Sequence, residues 1–277
     1  MDVHDGPPRV SVVIPARNEA RNIAHVLATL PDDIYEVLLV DGGSTDGTVE
    51  VARRAMPDIR VVAQTGIGKG DALATGLAEC TGDIVVLLDA DGSADGSEIP
   101  RFVDALLQGA DYAKGSRFLH GGGSSDLTWV RRAGNRLLCG IVNALYGTSY
   151  SDLCYGYNAA WVSQLRRLCL DCPGFEIETV MNIRSAKSKL MVSEVPSYEF
   201  PRRHGESNLH TVRDGWRVLM AIVRERRGRR AAAVPVATPS VPAILGPEAA
   251  AVPALSPEAA AIAAAQAAPV AAQLVKP

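Results

Sequence analysis

Two aspartates, Asp89 and Asp91, are separated by a single residue and directly follow an apolar run. The run, residues 84–88, contains only Ile, Val and Leu, which is typical of a strand buried on both faces of a parallel sheet. The carboxylates are therefore expected at the carboxyl end of a strand, where open α/β sheets bind ligands. They could hold a Mg²⁺ or Mn²⁺ ion that also binds substrate phosphates. The alternative is a solvent-exposed acidic turn, because Asp is favoured in turns.

Two earlier apolar runs also end in residues suited to a ligand site. Residues 9–14 predict a first strand, which is followed by Pro15, Ala16 and, a little later, Glu19. A second predicted strand, residues 35–40, is followed by Asp41 and a glycine-rich turn. The Asp41 carboxylate can accept hydrogen bonds from a base or a ribose. An ordinary strand-to-helix turn is also compatible with this segment, since Ser44 or Thr45 could cap the next helix.

A glycine-rich loop, residues 66–70 with the sequence GIGKG, precedes a predicted helix. This position favours contact with a phosphate, and Lys69 is a candidate contact to a diphosphate. The spacing is neither the Gly-x-Gly-x-x-Gly of dinucleotide-binding folds nor the Gly-x-x-x-x-Gly-Lys-Ser/Thr of P-loop ATPases. The loop therefore argues against a dehydrogenase and against a P-loop enzyme.

Strand-like and helix-like segments alternate along the first half of the chain. The predicted strands are residues 9–14, 35–40, 59–63, 84–88, 111–114 and 190–195, and the predicted helices are residues 19–30, 45–55, 69–79, 99–108, 129–146 and 176–188. Strands joined by helical crossovers predict an α/β fold with a doubly wound, mostly parallel, Rossmann-like sheet and helices on both faces. The pattern becomes less regular after about residue 121.

Composition sets limits on the class of protein. The chain has 277 residues, of which 47% are hydrophobic, and a formal net charge of -3. Because it has no basic excess, it is not expected to bind nucleic acid. Its five cysteines are an odd number scattered through the chain, which favours reduced thiols and a cytoplasmic location. Residues 1–9 are polar, unlike a secretory signal, and no run reaches the roughly 18 apolar residues that span a bilayer.

The last part of the chain differs from the rest. Residues 209–230 have an amphipathic pattern that ends in an arginine cluster. Such a segment can lie on an anionic membrane surface as a peripheral contact on the inner face, or it can pack its apolar stripe on the domain. Residues 231–277 are rich in Ala and Pro, which predicts a disordered tail. We therefore expect one catalytic domain over residues 1–230, followed by this tail.

The motifs together resemble a known family. Residues 12–19, 41–48, 68–70 and 89–91 are similar, in this order, to the motifs of a family 2 glycosyltransferase with the GT-A fold, and the resemblance extends over about residues 9–215. It implies that Pro15, Ala16, Glu19 and Asp41 hold the nucleoside of a sugar nucleotide. It also implies that Asp89 and Asp91 bind Mg²⁺ or Mn²⁺ on the diphosphate.

Within this family, the second half is most similar to dolichyl-phosphate and polyprenyl-phosphate sugar synthases. The similarity lies in residues 114–118 (KGSRF), in Trp129 and Arg131, and in residues 202–209 (RRHGESNL). It implies that Arg117, Arg131 and one of Arg202 and Arg203 hold an acceptor phosphate, for which a guanidinium is well suited. Residues 157–158 are Tyr-Asn where the synthases commonly have Phe-Arg or a similar pair, which leaves the sugar and the acceptor open.

The expected reaction is metal-dependent transfer of a hexose from a nucleoside diphosphate sugar to a polyprenyl phosphate, with inversion at the anomeric carbon. Asp91 and Arg117 are the predicted catalytic residues. Glu178 is a conditional catalytic base, because a hydroxyl acceptor needs a base and an ionised phosphate does not. One alternative is a soluble family 2 glycosyltransferase that acts on a hydroxyl, and another is a catalytically silent sugar-nucleotide-binding protein. The sequence does not distinguish UDP from GDP.

Overall fold

The strands and helices were located in a computed structural model that describes residues 6–205 and 211–228. The predicted tail, residues 231–277, lies outside the described residues, as do residues 1–5 and 206–210 of the predicted domain. The described strands are β1 (Val10–Ala16), β2 (Glu36–Asp41), β3 (Arg60–Ala63), β4 (Ile84–Leu87), β5 (Tyr112–Ser116), β6 (Gly123–Ser124), β7 (Asn158–Trp161), β8 (Val192–Pro196) and β9 (Tyr198–Glu199).

Seven of these strands form one sheet in the order β3-β2-β1-β4-β7-β5-β8, and β6 pairs with β9 in a separate small sheet. All pairs in the large sheet are parallel except those of β7, which runs antiparallel to β4 and to β5. In the register between β4 and β7, Leu87 lies opposite Asn158. The beginning of β7 therefore lies beside the end of β4, and the loop that enters β7 reaches the same edge of the sheet as Asp89.

The described helices are α1 (Ile23–Ala28), α2 (Thr48–Ala55), α3 (Lys69–Glu79), α4 (Ile99–Leu107), α5 (Trp129–Tyr146), α6 (Val162–Arg166), α7 (Ile177–Lys187) and α8 (Thr211–Arg227). They cover both faces of the sheet. Alternate residues of β1 show this arrangement, because Val12 and Ile14 pack in the core that contains α1, α2 and α4, whereas Val13 packs in the core that contains α3, α6 and α7. A third cluster joins α5, α7 and α8.

This architecture confirms the predicted α/β fold with a mostly parallel sheet. The bounds of α3 and α5 coincide with the predicted helices, whereas α1 is shorter than predicted because residues 19–22 form a turn before it. Sequence analysis missed β7, α6 and the small sheet. β7 is only four residues long, contains two alanines and has no β-branched residue, so its sequence is not typical of a strand.

α8 packs on the domain through one face. Val218 and Ile222 are buried in the third cluster, and the carboxylate of Glu225 pairs with Arg184 at 2.7 Å and with Lys187 at 2.8 Å. Both of these partners belong to α7. Of the two possibilities raised by the amphipathic pattern, this face of α8 therefore packs on the domain. Among the described residues, no helix has the length and apolar character needed to cross a membrane.

Candidate active site

A cleft of about 880 Å³ lies at the carboxyl edge of the sheet. It is bordered by the loops that follow β1, β3 and β4, as expected for ligand binding in an open α/β sheet. The residues predicted from the sequence that line this cleft are Pro15, Ala16, Glu19, Lys69, Asp89, Asp91 and Arg202. The structure thus brings together side chains that are separated by up to about 190 positions in the chain.

Asp41 lies at the end of β2 and stabilises the turn that follows it. Its carboxylate accepts hydrogen bonds from the backbone N–H groups of Gly43 and Ser44, each at 3.2 Å. Its neighbour Gly42 lines the cleft. An ordinary strand-to-helix turn is therefore present, but the cap expected from Ser44 or Thr45 is not, because α2 begins at Thr48 after Gly47. Contact with a nucleoside stays a prediction for Asp41.

Lys69 joins two carboxylates from different parts of the chain. Its Nζ lies 2.7 Å from Asp89 Oδ1 and 2.7 Å from Glu178 Oε1. Burial would lower the pKa of Lys69, but the two carboxylates together raise it above its ordinary value. Burial is also the main reason why the pKa of Glu178 is raised, although Lys69 opposes this shift. The cluster therefore holds a charged ammonium group against two carboxylates, where the cleft lined by Lys69 and Asp89 meets a second cavity that Glu178 lines.

Three glycines make this cluster possible. Gly68 has a φ of +93°, and a Cβ on Gly70 would lie 1.8 Å from the carbonyl oxygen of Cys172, so the loop before α3 packs directly against the segment before α7. At Gly156, an added Cβ would lie 2.6 Å from Asp89 Oδ2 and 2.7 Å from Lys69 Nζ. The glycine-rich loop was noticed in the sequence as a candidate phosphate site, but the structure shows that close backbone packing also requires its glycines.

Arg202 connects Asp91 with Glu19. Its Nη1 lies 3.3 Å from Asp91 Oδ2, and its Nη2 donates a hydrogen bond to Glu19 Oε1. Arg203 is exposed, and its backbone N–H donates to the carbonyl oxygen of Asp91 at 3.4 Å. The structure therefore decides which of the two arginines turns into the cleft, a question that the sequence left open: it is Arg202.

Asp89 and Asp91 are suitable ligands for a hard divalent cation. Their side chains are 33% and 25% exposed, and both line the cleft. Carboxylate oxygens are the donors that Mg²⁺ and Mn²⁺ prefer, and one or two of them are enough when a phosphate and water complete the coordination. No group of three or more His, Cys, Asp or Glu side chains suited to a metal occurs within residues 6–205 and 211–228. A metal at this position would therefore need oxygen atoms from a bound ligand as well.

A second cavity, of about 370 Å³, adjoins the cleft. The two share lining residues, among them Lys69, Asp89, Asp91 and Arg202. From this shared end the cavity extends between α5 and α8, where apolar side chains such as Val130, Leu138 and Val218 lie among the polar side chains of Arg131, Asn135 and Asp214. It thus has a charged end where it meets the cleft and a mixed lining, partly apolar, between the two helices.

Arg117 lines this cavity, but its guanidinium is already paired. Nε and Nη2 donate to the carboxylate of Asp152 at 2.7 and 2.9 Å, and Nη1 donates to Glu199 at 3.1 Å. The Arg117 side chain is only 4% exposed. Sequence analysis proposed phosphate binding for Arg117 and did not identify Glu199 as its partner.

Arg131 is on the first turn of α5 and also lines the second cavity. Its Nη1 lies 3.2 Å from the carboxylate of Asp126, and both side chains are partly exposed. The Arg131 side chain is 25% exposed, whereas that of Arg117 is enclosed by its partners. Contact with an acceptor phosphate stays a prediction for both arginines.

Comparison with known proteins agrees with the geometry of the cleft. Residues 11–166 match the model of glycosyl transferase family 2. Glycosyltransferase AglJ of Haloferax volcanii is 33% identical over 224 residues, which are 80% of this chain and 73% of the relative. The undecaprenyl-phosphate 4-deoxy-4-formamido-L-arabinose transferase of Edwardsiella ictaluri is 34% identical over 210 residues, which are 72% of this chain and 62% of that enzyme.

A solved structure is similar over most of its length. Glucosyl-3-phosphoglycerate synthase from Mycobacterium tuberculosis, in complex with Mn²⁺, UDP and glucosyl-3-phosphoglycerate, has a TM-score of 0.64 and 25% sequence identity. The similarity covers 79% of this chain and 80% of that enzyme. The family match, the relatives and the fold point to the same conclusion: this chain belongs to glycosyl transferase family 2 and is a glycosyltransferase with the GT-A fold.

Proposed function

We propose that this glycosyltransferase transfers a hexose from a nucleoside diphosphate sugar to a polyprenyl phosphate, with inversion at the anomeric carbon. The observation that carries the proposal is the lining of the second cavity, which has Arg202 where it meets the cleft and, between α5 and α8, apolar side chains beside Arg131. An amphiphile with a phosphate head and a hydrocarbon chain matches both parts. The proposal agrees with the names of two relatives, which specify undecaprenyl phosphate and dolichol phosphate.

The sugar nucleotide is assigned to the larger cleft. Pro15, Ala16, Glu19 and Asp41 are assigned to the nucleoside, since they lie at or beside the ends of β1 and β2. Asp89 and Asp91 would hold Mg²⁺ or Mn²⁺, which supplies positive charge to the diphosphate of the leaving nucleotide. Lys69 stabilises Asp89 in its position at the inner end of the cleft.

The acceptor phosphate is assigned to the second cavity, where Arg202 and Arg131 supply guanidinium groups. The cavity meets the cleft at Asp89 and Asp91, so the proposed reaction has an acceptor oxygen in the cavity attack the anomeric carbon from the side opposite the leaving diphosphate. Displacement from that side inverts the configuration. Arg117 orients the loop that contains Asp152 and acts on the reaction through that loop.

The position of Glu178 supports a phosphate, rather than a hydroxyl, as the attacking group. Its carboxylate is buried and lies 2.7 Å from the Lys69 ammonium, so it is part of an ion pair and not a free base. A phosphate is ionised at neutral pH and attacks without a base, whereas a hydroxyl acceptor requires one.

Transfer to the hydroxyl of a small acceptor is the second candidate function. The observation in its favour is the similarity to glucosyl-3-phosphoglycerate synthase, which has been solved in complex with phosphoglyceric acid. In that case, Glu178 would have to leave Lys69 and accept the proton of the hydroxyl.

An extraction assay tests both candidates. Radiolabelled UDP and GDP sugars are incubated with the full chain, polyprenyl phosphate and Mn²⁺ or Mg²⁺, and the products are extracted into organic solvent. We expect a labelled lipid whose formation requires the metal and is abolished by EDTA. The Asp91→Asn variant serves as the inactive control. Label that appears only in a water-soluble glycoside of phosphoglyceric acid, supplied in a parallel reaction, would contradict the proposal and support the second candidate.

A further inference from the structure

α5 has an apolar stripe on its solvent-facing side. The stripe contains exposed residues at intervals of three or four: Trp129, Ala133, Leu137, Gly140 and Ala144. Trp129 is 80% exposed and Leu137 is 67% exposed. The opposite side of the helix buries Asn135, Cys139 and Val142. A surface helix normally has polar residues on its outer side, so an apolar outer stripe indicates a surface that contacts something apolar.

α8 repeats this arrangement. Trp216 is 63% exposed and Met220 is 46% exposed, while Val218 and Ile222 on the other side are buried in the cluster that also contains residues of α5. The ion pairs of Glu225 with Arg184 and Lys187 hold the helix on the domain. The residues that attach α8 to the domain are therefore different from its exposed apolar residues, Trp216 and Met220.

The exposed charges on both helices have the same sign. The exposed arginines are Arg132 and Arg136 on α5 and Arg213, Arg217, Arg224, Arg226 and Arg227 on α8. α5 contains no acidic residue, and the two acids of α8, Asp214 and Glu225, are both buried. The outer sides of α5 and α8 thus combine exposed aromatic and aliphatic groups with positive charge.

The two helices also border the second cavity. Val130, Arg131 and Gly134 of α5 and Gly215 and Val218 of α8 line it. Trp129 is next to Val130 in the chain, and Trp216 is next to Gly215. Each helix therefore carries an exposed tryptophan one position away from a residue that lines the cavity.

We propose that the α5–α8 face, defined as Trp129, Leu137, Trp216, Met220 and the exposed arginines of both helices, docks on an anionic lipid bilayer. Tryptophan is favoured at the boundary between water and hydrocarbon, and arginine beside it binds anionic headgroups. A second copy of the chain fits this face less well, because two surfaces of like charge repel each other. Docking would place the second cavity at a membrane that supplies the lipid phosphate. This use of the face rests on the proposed function.

Vesicle flotation tests the docking face with the full chain. Vesicles are made of phosphatidylcholine alone or of phosphatidylcholine with phosphatidylglycerol. We expect the wild type to float with the anionic vesicles and to be released as salt is raised, because salt screens the arginines. Combined Trp129→Ser and Trp216→Ser should lower the partition coefficient about tenfold or more, since each tryptophan loses its apolar contact with the bilayer. Arg224→Gln with Arg227→Gln should lower it on anionic vesicles only.

The matched control is Leu107→Ser, which removes an apolar side chain that is 55% exposed on α4. We expect this variant to float like the wild type, and all variants to keep the wild-type thermal midpoint because the replaced groups are exposed. Wild-type protein that fails to float with anionic vesicles would overturn the proposal, as would a tryptophan double variant that floats equally well. A wild-type dimer in light scattering that the tryptophan changes dissociate would assign the face to a second copy instead.

A short-chain, water-soluble polyprenyl phosphate separates this proposal from the proposed function. If docking fails while transfer to the soluble acceptor proceeds, the face has been misassigned and the function stands. If the chain binds anionic vesicles but transfers sugar to neither acceptor, the docking face stands and the function is wrong. The tryptophan double variant should keep transfer to the soluble acceptor and lose transfer to acceptor embedded in vesicles.

Discussion

The cleft and the second cavity meet at Asp89 and Asp91, but they arrange their charges differently. In the cleft, these two carboxylates are partly exposed and each contacts one cation, Lys69 or Arg202. In the second cavity, Arg117 is 4% exposed and Asp152 is fully buried, and their charges are directed at each other. Charges in the cleft are thus available to a ligand, whereas the main ion pair of the cavity holds backbone segments together.

This difference teaches that a charged residue beside a site can have its charge compensated by protein partners before any ligand binds. Arg117 ties the end of β5 to the loop before β7 through Asp152 and to β9 through Glu199. Its removal should mainly lower stability, whereas changes in the cleft should mainly lower turnover. Each of the following experiments tests one side of this contrast.

The largest effect is expected for Arg117→Met. It leaves Asp152 buried without its partner, and breaking such a pair costs about 3–5 kcal/mol of unfolding free energy. Urea unfolding monitored by circular dichroism measures this cost. Arg131→Met is the matched control, because Arg131 makes a partly exposed ion pair and should cost less than about 1 kcal/mol. Equal stability of Arg117→Met and the wild type would contradict the structural role.

The same pair predicts a pH dependence. Burial raises the pKa of Asp152, but hydrogen bonds and charge from Arg117 outweigh it and hold this pKa below its ordinary value. A carboxyl with a lowered folded pKa contributes stability above its ordinary value near 3.9, and this stability is lost as the pH falls through the folded pKa. In Arg117→Met, protonation of the unpaired Asp152 carboxyl should instead stabilise the folded state. The stability difference between the two proteins should therefore shrink as the pH falls, first above about pH 4 as the variant carboxyl binds a proton and then below about pH 4 as the wild-type carboxyl does, which acid titration of the unfolding free energy will show.

Asp91→Asn should come next in size, and it should affect turnover. The substitution keeps an oxygen that can accept the hydrogen bond from the Ser93 N–H and removes the negative charge. We expect kcat to fall about 10²–10³-fold, the range seen when one electrostatic contact to developing charge is lost. The thermal midpoint should stay close to that of the wild type. Full activity of Asp91→Asn with Mn²⁺ would show that the Asp91 carboxylate does not bind a metal on the donor diphosphate.

Arg202→Met and the adjacent Arg203→Met form a matched pair. Arg202 contacts Asp91 and Glu19, whereas Arg203 is exposed. A lost charged hydrogen bond amounts to about 1.5–3 kcal/mol, so kcat/KM for the acceptor should fall roughly 10- to 100-fold in Arg202→Met. Arg203→Met should change it less than about twofold, as usual for an exposed side chain. The reverse ranking would mean that the side chains exchange places when ligands bind.

Glu178→Gln should have the smallest effect. If the acceptor is a phosphate, the variant keeps Lys69 paired with Asp89 and kcat should fall by less than about tenfold. A loss of about 10²–10⁴-fold, with the acid limb of the pH–rate profile also lost, would indicate a general base and a hydroxyl acceptor. Steady-state assays over a range of pH measure both quantities.

The parallel half of the fold was predictable from the sequence because each of its strands is a recognisable apolar run. Asp89 and Asp91 could be placed at a strand end by this rule alone, and the structure puts both in the cleft. The acceptor half was less predictable. β7 is short and rich in alanine, and its reversal is not encoded by any local pattern.

The partners of the arginines could not be predicted for a related reason. Asp152 and Glu199 are 35 and 82 positions away from Arg117, so nothing local in the sequence links them. Arg202 and Arg203 are chemically identical neighbours, and only the backbone direction of their segment determines which one faces the cleft. The sequence thus indicates which charges are present, and long-range packing decides what each of them contacts.

At Gly156, the loop that enters β7 passes so close to the cleft that a single methyl group would meet both Asp89 and Lys69. A side chain at this position would displace the pair even in a chain that retains every charged residue of the motifs. Residue 156 can therefore serve as a marker for pseudoenzymes: a family member with both aspartates but a larger residue here is expected to have lost or rebuilt its donor site.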